Sequence, residues 1–149
     1  MGSGSGAAGG AIAGTAESTD DARTLVVHRG AHCFIILNRY PYTSGHLMVV
    51  PYQHASTLSE LTDEALVETI QLARLAEKHL RALYHPDGLN LGMNIGKSAG
   101  AGIAGHLHLH VLPRWTGDTN FMTVVGETRV APEALETTLE RLRAAFAAE

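Results

Sequence analysis

The chain has 149 residues, 45% of them hydrophobic and 17% charged, which fits one globular domain and argues against extended disorder. The formal net charge is −4 and the basic residues are scattered, which excludes a positive patch for nucleic acid or an anionic membrane and favours a small-molecule partner. The single cysteine, Cys33, excludes an intrachain disulfide and a closed cysteine zinc site, and it favours a cytoplasmic location.

The beginning of the chain differs in composition from the rest. Residues 1–22 are mostly Gly, Ala, Ser and Thr, which predicts a flexible tail that is partly a remnant of cloning. We therefore expect the folded domain to cover residues 23–149. No apolar run reaches the roughly 20 residues that span a bilayer, so we expect no membrane segment.

Three short β-rich runs come first in the domain. The segments TLVVHRG at 24–30 and HCFIILN at 32–38 are separated by a turn at 29–31, which predicts a hairpin. The segment GHLMVVP at 45–51 predicts a third strand.

The strongest helix signal covers residues 62–84. Apolar residues recur there at intervals of three and four, which predicts one buried face. The residues of this face are Leu66, Ile70, Ala73, Ala76, Leu80 and Leu83. Thr62 is expected to cap the helix, and Asp63 and Glu64 lie where the helix dipole favours negative charge.

The second half of the chain predicts two further strands and a helix. Residues 88–95 and 106–113 are typical of strands, and a glycine-rich loop at 96–105 joins them. A last helix is expected to begin near Pro132. Its apolar face comprises Leu135, Leu139, Leu142 and Phe146. Because the early connections are of hairpin length and only two helices are expected, the pattern indicates an α+β domain around an antiparallel sheet.

The segment GMNIGKS at 92–98 is close to a phosphate-binding P-loop but fails its spacing. The motif needs four residues between its glycines, whereas Gly92 and Gly96 enclose three, and this loop runs into a strand rather than a helix. Glycines at 96, 100, 102 and 105 leave backbone N–H groups unobstructed, so the loop is either an anion cradle or a flexible turn.

Residues 105–115 read GHLHLHVLPRW, with three histidines at alternate positions. Side chains alternate between the faces of a strand, so the histidines share one face and the residues between them point to the core. The histidines are His106, His108 and His110, and the core-facing residues are Leu107, Leu109 and Val111.

Three interpretations of this stripe are open. It could be a solvated strand face, although three imidazoles in five residues are an unusual way to make a surface polar. It could hold a metal through two of the three, joined by His46 or His54. It could carry covalent catalysis on phosphorus, with His108 as nucleophile because a histidine flanks it on both sides.

The pattern HLHLHVL at 106–112, following a glycine-rich loop, resembles the signature of the histidine triad (HIT) superfamily. The segment at 36–58 is similar to that family's Asn-x-x-Pro and Gly-His-x-x-x-x-Pro-x-x-His pattern. Residues 94–122 are similar to the branch of diadenosine tetraphosphate phosphorylases and fragile-histidine-triad dinucleoside polyphosphate hydrolases. The resemblance covers about residues 23–147 and implies a five-stranded antiparallel sheet with two helices, continued across a homodimer.

The resemblance also implies roles for the histidines. His108 would accept a nucleotidyl group on its ring, His106 and His110 would hydrogen-bond the phosphate and the leaving group, and His46 would support the triad. The implied substrate is a dinucleoside polyphosphate, and the acceptor is inorganic phosphate or water. No tightly bound cofactor is implied, and Mg²⁺ would accompany the substrate phosphates.

Further residues are expected to bind the nucleotide. By resemblance, Asn38 would contact the ribose, Asn94 a phosphate and the backbone at Gly102 the α-phosphate. From their chemistry, Lys97 and Ser98 could approach the distal phosphates, Arg114 could pair with a phosphate, and Trp115 could stack on a base or pack against a partner subunit.

The chain also departs from the family. Many relatives carry a Cys-x-x-Cys pair for a structural zinc, which is absent here, so we expect no such zinc and a solvent-facing or structural His54. The spacing from Asn94 to His106 is one residue longer than in the hydrolases, which favours the phosphorylases. The remaining histidines, at 28, 32, 79 and 85, are expected to be ordinary surface or turn residues. A zinc hydrolase and a nucleotide-binding module without turnover remain the alternatives from other classes.

Overall fold

A computed structural model describes residues 24–102, 105–119 and 133–149 and contains one antiparallel sheet. The strands are β1 at Val26–Arg29, β2 at Cys33–Leu37, β3 at Leu47–Pro51, β4 at Gly88–Gly92 and β5 at Leu109–Arg114. Their order across the sheet is β1-β2-β3-β5-β4, and every neighbouring pair is antiparallel. The expected α+β fold, with five antiparallel strands and two helices, is therefore confirmed. The tail at 1–22 lies outside the described residues and stays a prediction. Pro132 also lies outside them, and the helix expected to begin near it begins at Leu135.

The two helices are α1 at Asp63–Tyr84 and α2 at Leu135–Ala147. The side-chain oxygen of Thr62 accepts a hydrogen bond from the backbone N–H of Ala65 at 3.2 Å, as expected of a helix cap. The helix ends at Tyr84, and the next residue, His85, has a left-handed backbone with φ of 48°. In the described ranges, neither helix is apolar enough over a sufficient length to cross a membrane.

The buried stripe of α1 differs from the expected face. Its members are Ala65, Thr69, Leu72, Ala73, Ala76, His79 and Leu80. The assignment of Ile70 to the buried face is wrong, since that side chain is 64% exposed. The stripe repeats every three to four residues as expected, but small and polar side chains occupy several of its positions.

The main core lies between the sheet and the helices. Along β2, Cys33, Ile35 and Leu37 belong to this core, together with Leu80 of α1 and Leu142 of α2. The alternate residues of β2 belong instead to a smaller cluster on the other face of the sheet, composed of Val26, Phe34, Ile36 and Val50. Since both faces of β2 are covered, all five of its residues are buried.

Two histidines far from the triad in sequence, His28 and His79, both contact the core residue Phe146. His79 is 7% exposed, and its ring lies 4.5 Å from that of Phe146, which lies 5.2 Å from the ring of His28. Burial lowers the pKa of both imidazoles. The expectation that these histidines are ordinary surface or turn residues is therefore wrong for His79, whereas His32 and His85 are exposed.

Candidate active site

The pairing of β3 with β5 brings a fourth histidine beside the triad. Leu47 pairs with Val111 and Met48 with His110, so His46, just before β3, comes next to this part of β5. His46 is fully buried, and its Nε2 lies 2.8 Å from Nδ1 of His110.

Hydrogen bonding assigns the tautomers of this pair. The backbone N–H of Tyr42 donates to Nδ1 of His46 at 3.2 Å, so the neutral His46 ring carries its proton on Nε2. That proton is donated to Nδ1 of His110. His110 therefore carries its own proton on Nε2, where it is available as a donor.

The electrostatics of the site keep this pair neutral. Burial, with smaller contributions from repulsion by the neighbouring His110 and His108, lowers the pKa of His46 to about 4. Burial, with a smaller effect from His108, also lowers the pKa of His110. Both rings are thus neutral near pH 7, as the shared hydrogen bond requires.

His108 presents one ring nitrogen without a proton. Its Nδ1 lies 3.2 Å from the backbone oxygen of His106, and a carbonyl can only accept, so Nδ1–H is the donor. The lone pair is then on Nε2. The His108 ring is half-buried and meets the His110 ring edge-on, with centroids 4.8 Å apart at 72°. The site thus combines a nucleophilic nitrogen with a neighbouring histidine whose Nε2–H is a donor.

His106 is held by the end of β3 and by the segment that follows it. The ring is 6% exposed, and its Nε2 lies 2.8 Å from the backbone oxygen of Pro51. Its Nδ1 lies 3.3 Å from Nδ1 of His54, whose side chain is solvent-facing as expected but also contacts the triad. From the sequence, His54 is brought to the triad only in the alternative of a metal site; the sequence signal for the contact is the Pro-x-x-His spacing of residues 51–54.

The glycine-rich loop has its own hydrogen bonds. The backbone oxygen of Gly96 accepts from the N–H groups of Ala99 and Ala101, both at 3.2 Å, and the amide of Asn94 donates to the oxygen of Gly100 at 3.4 Å. Lys97 and Ser98 are exposed on a short 3₁₀ turn within it, and Gly102 is exposed just after it. These bonds favour a shaped loop over a merely flexible one.

Asn38 lies on the loop that leads to His46. Its backbone N–H donates to the oxygen of His46 at 3.0 Å, and its side-chain oxygen accepts from the N–H of Tyr40 at 3.0 Å. The structure thus brings Asn38 to the same end of the sheet as His46.

Arg114 and Trp115 are not brought together with the triad histidines. Arg114 lies four positions after His110 along the strand, roughly 13 Å away by rise alone. The Arg114 guanidinium donates to both carboxylate oxygens of Asp118, at 2.7 and 2.9 Å, and to the side chain of Asn90. The backbone N–H of Trp115 also donates to Asp118, at 3.1 Å.

Gly45 determines how the chain enters β3 at His46. Its φ is +82°, and an added Cβ would lie 2.9 Å from Cδ2 of Leu80. We expect Gly45→Ala to lower the free energy of unfolding by about 2 kcal/mol, because the left-handed backbone and the crowding both disfavour a side chain. Urea denaturation measures this. Gly88→Ala is the matched control, since its Cβ meets nothing within 4 Å, and an equal loss in both variants would contradict the argument.

Comparison with known proteins gives matches over most of the chain. The HIT domain family model matches residues 19–117. A Mycobacterium tuberculosis protein named AP-4-A phosphorylase is 44% identical over 127 residues, which cover 85% of this chain but only 65% of that protein. A zinc-bound histidine triad family protein from Mycobacterium smegmatis has a TM-score of 0.70 at 29% identity, covering 92% of this chain and 89% of that one. A hypothetical histidine triad nucleotide-binding protein from Sulfolobus tokodaii has a TM-score of 0.68 at 29% identity, with 83% and 84% covered.

The zinc in the M. smegmatis relative raises the question of a metal here. His54 and His106 direct two ring nitrogens at each other, as two ligands of one ion would. Within residues 24–102, 105–119 and 133–149, however, no three His, Cys, Asp or Glu side chains form a group that could hold a metal. The described residues supply two imidazole nitrogens but no third ligand, and the 3.3 Å separation of these nitrogens fits a hydrogen bond.

Proposed function

The chain belongs to the HIT domain family, and on that premise we propose that it transfers a nucleotidyl group from a dinucleoside polyphosphate through a covalent intermediate on His108. The observation that carries the proposal is the hydrogen bond from Nδ1 of His108 to the oxygen of His106, which leaves Nε2 as a nucleophile. Similarity to the M. tuberculosis AP-4-A phosphorylase supports diadenosine tetraphosphate as the substrate.

The proposed reaction takes place in two steps. Nε2 of His108 attacks an α-phosphorus of diadenosine tetraphosphate, a phosphorus–nitrogen bond forms, and the bond to the bridging oxygen breaks to release ATP. An acceptor oxygen then attacks the same phosphorus and displaces the imidazole. Nε2–H of His110 donates to the phosphoryl oxygens during both steps, because its other nitrogen is occupied by His46.

The remaining predicted contacts belong to this proposal. Asn38 holds the ribose, supported by its position on the loop next to His46. Asn94 and the backbone near Gly102 hold the phosphates, supported by the hydrogen-bonded shape of the glycine loop. Lys97 and Ser98 approach the distal phosphates from its exposed turn.

Arg114 and Trp115 lie at a distance from the reacting phosphorus. Their hydrogen bonds to Asp118 instead support a role in holding the turn after β5. Mg²⁺ accompanies the substrate phosphates and takes no dedicated set of protein ligands.

The proposal includes a homodimer in which the sheet continues across two copies. The strand β4 lies at one edge of the sheet that the described residues form. Leu91 on this strand and Ile95 just after it are 49% and 40% exposed. An open strand edge with apolar neighbours favours pairing with a second copy.

A product assay tests the proposed function. We expect the protein, incubated with diadenosine tetraphosphate, Mg²⁺ and phosphate, to release ADP and ATP, with little turnover when phosphate is omitted. AMP and ATP formed equally with and without phosphate would identify water as the acceptor and a hydrolase. Tight nucleotide binding without turnover under either condition would overturn the proposal in favour of a binding module.

A further inference from the structure

The first two triad histidines, His106 and His108, lie outside the strand ladder that holds His110. The pairing of β3 with β5 ends at Val49 and Leu109, so residues 106–108 are not supported by that ladder. Other contacts must therefore fix the peptide whose carbonyl orients His108.

Residues 51–55, which comprise the last residue of β3 and the segment after it, supply these contacts. The backbone oxygen of Ala55 accepts from the N–H of Leu107 at 2.8 Å, and the oxygen of Pro51 accepts from Nε2–H of His106 at 2.8 Å. A third contact in this segment is made by a side chain, that of His54.

The tautomer of His106 defines the contact with His54. Because a carbonyl can only accept, His106 carries its proton on Nε2, and its Nδ1 has a lone pair. The two Nδ1 atoms are 3.3 Å apart, and the rings meet edge-on at 72°. The contact is a hydrogen bond when His54 carries its proton on Nδ1 and donates it.

We propose that His54 is a positioning residue for the nucleophile: its Nδ1–H fixes the ring of His106, and the backbone oxygen of His106 in turn orients His108. Only the expected effect of His54 on turnover rests on the proposed function. His106 is thus held at both ring nitrogens, by Pro51 and by His54. These contacts anchor His106, whose backbone oxygen accepts the hydrogen bond from Nδ1 of His108.

This role differs from a structural one in its consequences. His54 is exposed and adds little to the core, so its loss should change stability little while it loosens the His108 ring. Loss of a residue that orients a catalytic group through another residue typically lowers activity by about 10- to 100-fold.

The test compares His54→Ala with His54→Asn, whose amide N–H replaces the Nδ1–H donor. We expect kcat for diadenosine tetraphosphate to fall about 10-fold in His54→Ala with KM nearly unchanged, and to recover to within about threefold of the unsubstituted protein in His54→Asn. His32→Ala, another exposed histidine, is the control and should keep full activity. Equal kcat in His54→Ala and the unsubstituted protein would overturn the inference.

Nitrogen-15 NMR of the imidazoles tests the same inference without turnover. We expect the unsubstituted protein to show His54 protonated on Nδ1 and His106 on Nε2, and the Nδ1–H signal of His108 to broaden in His54→Ala. His54 protonated on Nε2, or an unchanged His108 signal in His54→Ala, would overturn the inference. A protein without turnover that gives the expected spectra would contradict the proposed function and leave the positioning contact intact.

Discussion

We expect His108→Ala to lose turnover of diadenosine tetraphosphate by about 10⁴-fold or more, because removal of the nucleophile in a two-step transfer removes both steps. Neither His46 nor the other two triad histidines combine a hydrogen-bonded Nδ1–H with an unoccupied lone pair on Nε2. Nε2 of His106 is hydrogen-bonded to Pro51, and His46 and His110 share a hydrogen bond. The measurement is the initial rate with Mg²⁺ and phosphate, together with mass spectrometry of acid-quenched protein. The unsubstituted protein should gain the mass of one nucleotidyl group, and the variant should not.

Nucleotide binding should survive in the same variant. The proposed ribose and phosphate contacts are made by Asn38, by Asn94 and by the glycine loop, so calorimetry should give a Kd within about tenfold of the unsubstituted protein. His32→Ala serves again as the control for replacement of an exposed histidine. Retained turnover in His108→Ala would contradict covalent catalysis at this residue. Loss of binding with unchanged folding would point to a role for His108 in holding substrate.

The alternation of the histidine segment predicted its packing well. Leu107, Leu109 and Val111 are buried, as a period of two requires of the core-facing side. The regular strand nevertheless begins at Leu109 rather than at the predicted 106. Hydrophobic alternation reports which side chains are buried, whereas the length of a ladder depends on the partner strand. The partner ladder here ends at Val49.

The buried face of α1 shows where hydrophobicity misleads. The stripe includes Thr69, whose hydroxyl donates to the backbone oxygen of Ala65 at 2.7 Å, and His79, which packs against Phe146. A polar side chain can be buried when it finds a partner, and such partners cannot be read from a helical period. The larger Ile70 lies one position away from this stripe and faces solvent.

Contacts between distant segments account for the rest of what the sequence did not predict. The spacing of motifs placed His46 beside the triad, but the tautomers of the site depend on the backbone N–H of Tyr42 and the oxygen of Pro51. Likewise, the partner of Arg114 is Asp118, four residues further along a turn whose shape was not predicted. Motifs identify the residues of such a site, and tertiary contacts fix their protonation and orientation.

Acidification should destabilise the protein through the buried histidines. The pKa of His46 falls from 6.5 to about 4 on folding, so folding disfavours the protonated form. Above pH 6.5 the imidazole is mostly neutral in both the folded and the unfolded protein, so His46 carries almost no free-energy penalty there. The free energy of unfolding falls as the pH drops from 6.5 toward 4. Between about pH 7.5 and 4.5 this residue alone should lower the free energy of unfolding by about 2.5 kcal/mol. His106 and His110, whose pKa values are also lowered by burial, act in the same direction.

The variant His46→Gln separates this titration from general destabilisation. A glutamine amide can accept from the N–H of Tyr42 and donate to His110, but it does not titrate. Urea unfolding across the same pH range should therefore show a loss smaller by about 2.5 kcal/mol than in the unsubstituted protein. Met48→Ala shortens a half-buried side chain two residues away and destabilises the protein without removing a titrating group. This variant should therefore show the full loss of unfolding free energy on acidification. The same pH dependence in His46→Gln and in the unsubstituted protein would contradict a neutral, buried His46. It would also contradict the hydrogen bond from His46 to Nδ1 of His110, which leaves Nε2–H of His110 as a donor.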